Sequence, residues 1–203
     1  SIYFTIFLSI LFILTIYEWL GMTNKFNFLR PIGIIYLFLS FFSVYLFRND
    51  FGLNIFLFVI TICILTDIGG FTFGKIFKGP KLIKISPKKT YSGVLGSFIF
   101  SIIGSFIFIR YIENINSILR QDLYLDLKID IIGNNFLILT LVIFVSLVSQ
   151  IGDLVISYFK RNAKIKDTGT ILPGHGGLLD RIDGMIFVFP FTYLILSINL
   201  NHL

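Results

Sequence analysis

Three aspartates close to the end of an otherwise apolar chain have the types and spacing to hold a hard cation. Asp153 and Ser157 are four residues apart and share one face if they lie on a helix. Asp180 and Asp183, in the run DRID, converge in the same way at i, i+3. Three carboxylates brought together make an oxygen-rich site suited to Mg²⁺, which takes a few carboxylates and completes its shell with water and substrate phosphate. Softer metals lack ligands here, since the chain has one cysteine and two histidines, His175 and His202. Two plainer readings stand beside this one: Asp153 paired with Lys160 or Arg161, and Asp180 as an acid favoured in the first turn of a helix.

Just ahead of the DRID acids runs Pro173-Gly174-His175-Gly176-Gly177. Glycines allow a tight turn and close approach to a ligand, and a helix that follows would offer backbone N–H groups to an anion. Lys160, Arg161, Lys164, Lys166 and Arg181 flank the turn. Acids for a metal, amides for phosphate and bases for the remaining charge are the parts of a metal-dependent phosphoryl or nucleotidyl transfer site. His175 reads equally as a phosphate contact or a packed turn residue.

A second polar stretch runs from Asp67 to Gly93. Gly69, Gly74 and Lys75 fit G-x-x-x-x-G-K, but Ile76 follows where a phosphate-binding loop needs Ser or Thr, and an apolar span precedes it instead of a strand. That motif is therefore rejected. Lys78, Lys81 and Lys84 read as bases lining an anionic membrane surface. Ser86-Pro87-Lys88-Lys89-Thr90 forms a compact turn suited to clamping phosphate.

The elements that must position these groups are membrane spans. Of the 203 residues 56% are hydrophobic and 14% charged, and the mean hydropathy is +0.90, more apolar surface than one soluble core would bury. A helical span needs about 20 apolar residues, and six stretches serve: 1–21, 31–47, 51–72, 91–111, 135–159 and 184–200. Pro190 should kink the last. Connection 112–134 reads as a solvated linker with a short amphipathic helix carrying Ile118, Leu119, Leu123 and Leu125. With alternating spans, thirteen of the seventeen bases fall in connections 22–30, 73–90 and 160–183, which the positive-inside rule assigns to the cytoplasm. The expected fold is an all-α polytopic bundle forming one domain over 1–203, with its site in cytoplasmic loops of a bacterial-type inner membrane. The first span reads as retained, because no basic region precedes it. Cys63 lies in an apolar run as a small buried hydrophobe. The bases lie beside spans without interleaved aromatics on a soluble face, which excludes nucleic acid and fits anionic lipid or phosphate.

Ser157, Lys160-Arg161, Lys166-Asp167, Gly169 and then Pro173-x-His175-Gly176-Gly177-x-x-Asp180-Arg181-x-Asp183 resemble the C-terminal motif of the phosphatidate cytidylyltransferases, the CDP-diacylglycerol synthases. Asp67-x-Gly69-Gly70, Gly74-Lys75 and Ser86 to Thr90 are similar to a second block of that family, and Tyr17-Glu18-Trp19 to a weaker one. The resemblance implies an enzyme that joins CTP and phosphatidic acid within membrane lipid, using Mg²⁺ and a monovalent cation such as K⁺ as a second ion. Asp153, Asp180 and Asp183 would then bind the cation with Ser157 in support. Lys160, Arg161 and His175 would act at the reacting phosphates, and Asp67, Lys88, Lys89, Lys166, Asp167, Gly176, Gly177 and Arg181 would bind substrate.

Homodimerisation and an N-terminus shorter than the family's are further expectations. Ser92 and Ile156 stand where the family often has an acid, which weakens any role for those acids. Two rivals are another CTP-using lipid enzyme, of the polyprenol kinase or CDP-archaeol synthase kind, and a cation transporter lined by Asp67 and Asp153.

Overall fold

The computed structural model describes residues 2–24, 28–83, 86–119, 135–174 and 176–200. Backbone N–H and C=O groups cannot be left unpaired in hydrocarbon, so long apolar runs become helices even where they are rich in Ile and Phe. Among the described residues, four helices are long and apolar enough to cross a membrane: α1 (Ile2–Met22), α2 (Leu29–Phe77), α3 (Tyr91–Leu119) and α4 (Asn135–Asn162). A four-residue helix α5 (Leu179–Ile182) and a shorter apolar helix α6 (Met185–Leu200) follow. This is an all-α polytopic membrane protein.

A straight helix of 49 residues would be about 74 Å long, more than twice the hydrocarbon thickness. The backbone of α2 leaves the helical region at Gly52, where φ is 80° and ψ is 175°, a conformation open to glycine and strained for other residues. The two halves, 29–51 and 53–77, correspond to the expected second and third spans. The second half stays helical to Phe77, past the expected end at 72, so the polar connection is confined to 78–90. The proposed amphipathic helix in 112–134 lies largely outside the described residues.

That connection contains what the sequence reading missed, an antiparallel hairpin of β1 (Lys81–Ile83) and β2 (Ser86–Thr90), with Lys81 opposite Thr90 and Ile83 opposite Ser86. Thr90 Oγ1 accepts a hydrogen bond from the Gly93 N–H at 3.1 Å and so caps α3.

The chain divides into two compact units, residues 47–150 and residues 1–46 with 151–203. In the 47–150 unit, α2 and α3 cross through glycine. A Cβ on Gly69 would stand 2.3 Å from the Gly96 carbonyl oxygen, and one on Gly96 would stand 2.3 Å from Phe73 Cβ. Small residues let helices in lipid approach until their backbones touch, so the glycines that imitated a phosphate loop are packing residues. Hydroxyls tie α2 to both neighbours: Thr66 donates to Ser146 Oγ of α4 at 3.0 Å, and Ser97 of α3 donates to the Thr66 carbonyl at 2.8 Å.

In the other unit, Trp19, Met22, Leu37, Phe41, Ile156, Leu179 and Ile186 form the buried core. Pro190 sits inside α6 and has no N–H to give the carbonyl of Ile186, four residues earlier. That carbonyl is served from α2, where Ser40 Oγ donates to it at 2.7 Å and Tyr36 OH at 3.4 Å.

Candidate active site

Helix α4 carries Asp153, Ser157 and Lys160 along one face, and Ser157 Oγ donates to Asp153 Oδ1 at 3.2 Å. The helix ends at Asn162 through a left-handed Lys164, with φ 59°. The Ile165 N–H reaches back to the Lys160 carbonyl and the Lys164 N–H to that of Arg161, each at 3.0 Å, the pairing of a Schellman motif. The chain is thereby turned back toward α4, and 166–183 lies beside the helix that bears Asp153.

Asp180 organises this return. Its Oδ1 accepts from Lys160 Nζ at 2.8 Å, and its Oδ2 accepts the N–H groups of Thr168 at 2.8 Å and Gly177 at 3.0 Å. Burial pushes the Asp180 carboxyl up, but the bond from Lys160, the two amides and the Lys160 charge outweigh it and hold the pKa below its ordinary value.

Glu18, near the end of α1, does the same from the other side. It is 2% exposed and takes the Leu178 N–H on Oε1 at 2.9 Å, and the Leu179 N–H and Thr168 hydroxyl on Oε2 at 2.8 and 3.0 Å. In sequence Tyr17-Glu18-Trp19 carries only a weak resemblance, and Glu18 is not among the residues expected at the site. The signal that could have found it is a single acid in an otherwise uncharged apolar helix.

The amides after the glycine turn, expected to greet an anion, are thus taken by carboxylates. Gly177 N–H goes to Asp180, and Leu178 and Leu179 N–H go to Glu18. Gly176 has φ 85°, and its carbonyl accepts the Leu172 N–H at 3.0 Å, closing the turn. His175 lies outside the described residues. Arg161, Lys166, Asp167 and Arg181 are exposed around this framework.

Asp183 is 8% exposed, and its Oδ1 accepts the Gly184 N–H at 2.9 Å. Gly152 packs on the same backbone, where a Cβ would lie 2.9 Å from the Asp183 carbonyl oxygen. Asp153 and Asp183 therefore sit on elements in direct contact. Among the described residues no group of three or more His, Cys, Asp or Glu side chains stands close enough to hold a metal ion. Asp180 has three of its roughly four acceptor positions engaged. Asp153 and Asp183 are carboxylates of the kind Mg²⁺ takes, alongside the water and phosphate it keeps in its shell.

Asp67, Lys88 and Lys89 belong to the 47–150 unit. Asp67 is exposed at its place in α2. Lys89 Nζ donates to the Gln150 carbonyl at 3.2 Å, which ties the hairpin to α4. The Lys88 side chain lies outside the described residues.

The phosphatidate cytidylyltransferase of Staphylococcus haemolyticus is 35% identical over 179 residues, covering 85% of this chain and 62% of that protein. The proteins of that name from Staphylococcus epidermidis RP62A and Staphylococcus aureus COL are 35% and 34% identical over 178 residues, with the same coverage. The chain thus spans less than two thirds of the length of these relatives. The sequence model of the Cytidylyltransferase family matches residues 1–199. A match that takes in α1 with Glu18, the glycine crossing and the knot around Asp180 leaves no major element of the fold outside it, and the chain belongs to the cytidylyltransferase family.

Proposed function

We propose that the chain transfers the CMP moiety of CTP to phosphatidic acid, giving CDP-diacylglycerol and pyrophosphate. The observation that carries this reading is the folding of 153–183 into one charged knot, in which Asp180 gathers Lys160 and two loop amides at the end of an apolar helix. Membership of the family and the phosphatidate cytidylyltransferase relatives support it.

A phosphate oxygen of the lipid, anionic at neutral pH, attacks the α-phosphorus of CTP. The bond from that phosphorus to the bridging oxygen breaks, and the pair of electrons leaves with pyrophosphate. No general base is needed. Arg161, Lys166 and Arg181, exposed around the knot, bind and orient phosphate, and Lys160 supports them from its bond to Asp180. Asp153 and Asp183 would hold Mg²⁺, which when bound supplies positive charge to the transferring phosphoryl group. A monovalent cation as second ion and a homodimer are parts of the same proposal. The positive-inside sorting supports a site on the cytoplasmic side of the inner membrane.

Labelled CTP, supplied with phosphatidic acid and Mg²⁺ to the detergent-solubilised chain, should yield a labelled lipid. The reading fails if label enters no lipid, or if Asp153→Asn and Asp183→Asn leave the rate untouched.

A further inference from the structure

Glu18 accepts bonds from residues 150, 160 and 161 positions later in the chain. A buried carboxylate in an apolar helix is costly unless it is fully used, and all three partners belong to the segment that presents Asp180. The segment is shaped around it. A Cβ on Gly169 would lie 2.6 Å from Glu18 Oε1, and one on Gly177 would lie 2.6 Å from Oε2, so both glycines leave room for this side chain. Thr168 links the two acids, giving its hydroxyl to Glu18 and its N–H to Asp180. Neighbouring amides are shared out likewise, Gly177 to Asp180 and Leu178 and Leu179 to Glu18.

We propose that Glu18 is a positioning residue of the site: as an acceptor on both oxygens, it holds Thr168, Leu178 and Leu179 in the arrangement that sets Asp180 against Lys160. The number of accepting oxygens matters more than the volume of the side chain. Glutamine has almost the same shape but only one accepting atom, so in either orientation its amide N–H₂ faces a backbone or hydroxyl donor. The effect on loop order stands on geometry alone, whereas the effect on catalysis rests on the function proposed above.

The test compares the chain with Glu18→Gln and Thr168→Val in detergent, reading hydrogen exchange residue by residue and CMP transfer kinetics. In Glu18→Gln the amides of Leu178 and Leu179 should exchange about tenfold faster or more, while those of α1 and the first turns of α4 keep their protection. The kcat should fall by a larger factor than the KM for CTP rises, and adding Asp180→Asn should cost less than it does in the parent chain, since both act on one loop. Thr168→Val should move exchange and kcat the same way by a smaller factor, less so for Thr168→Ser, and it decides the matter if Glu18→Gln does not fold. Unchanged exchange and kcat in Glu18→Gln, or protection lost evenly over the whole chain, overturns the proposal. A parent chain that transfers no CMP, yet shows the localised exchange change, overturns the proposed function and leaves the role of Glu18 in loop order standing.

Discussion

Lys160 Nζ and Asp180 Oδ1 are 2.8 Å apart, with side chains only 13% and 11% exposed, and their bond joins the end of α4 to α5, which returns beside it. Removing one member of such a pair leaves the other charge sheltered and alone. Asp180→Asn should lower stability by roughly 2 kcal/mol and CMP transfer on the order of a hundredfold through misplacement. The Mg²⁺ concentration for half-maximal rate should stay where it is, because the ion is proposed to sit on Asp153 and Asp183. Titrating Mg²⁺ against rate for the three Asp→Asn variants checks this, and a shift confined to Asp180→Asn would place the ion there instead.

The same pair gives a dependence on pH. The folded pKa of Asp180 lies below its ordinary value of 3.8, so its contribution to stability is fully present above that value and is lost as pH falls through the lower folded one. Thermal unfolding followed from pH 6 downward should show an acid-side loss that is smaller in Asp180→Asn.

Ser40 and Pro190 should be coupled although they share no bond. With proline at 190, Ser40→Ala takes away the 2.7 Å donor of the Ile186 carbonyl and should cost about 1 kcal/mol. In a Pro190→Ala background the helix supplies its own N–H, and the same change should cost close to nothing. Unfolding midpoints of the four chains in detergent form the cycle.

At the crossing of α2 and α3, Gly96→Ala drives a methyl into Phe73 and should destabilise by about 1–3 kcal/mol. Gly21→Ala makes the same change in α1, where nothing lies within 4 Å of the added carbon, and should stabilise by up to about 1 kcal/mol. Equal midpoints for the two variants would contradict the close approach.

Lys164 ends α4 with φ 59°, a conformation costing a side-chain-bearing residue about 1 kcal/mol or more. Lys164→Gly should raise the unfolding midpoint, and a fall would mean that the lysine side chain contributes more than its backbone costs.

The spans were legible in the sequence because lipid dictates them: a run of Ile, Leu and Phe has one way to pair its backbone there. Asp153, Asp180 and Asp183 were legible as residue types for the same reason, since charge in such a chain needs a use. Their partners were not. Spacing put Asp180 and Asp183 on one face, but the bonds that define Asp180 come from Thr168 and Gly177, loop residues with no periodic signal, and from Lys160 on another helix. Glu18 escaped because the residues it holds lie more than a hundred positions away. The hairpin at 81–90 escaped because three- and five-residue strands show no clear alternation, and the Ser86-Pro87 pair reads simply as a turn.

The carbonyl of Ile186 also has a geometric consequence. A uniformly apolar helix in lipid has little to fix its rotation, since turning it by one residue exchanges one greasy face for another. Proline at 190 leaves one carbonyl in the first turns of α6, that of Ile186, without its helical partner, and Ser40 stands where that carbonyl must point. A turn of α6 by one residue, about 100°, would strand it in hydrocarbon. The missing N–H therefore acts as an index mark that admits one rotational setting, and with it one placement for Asp183, two residues before the helix begins.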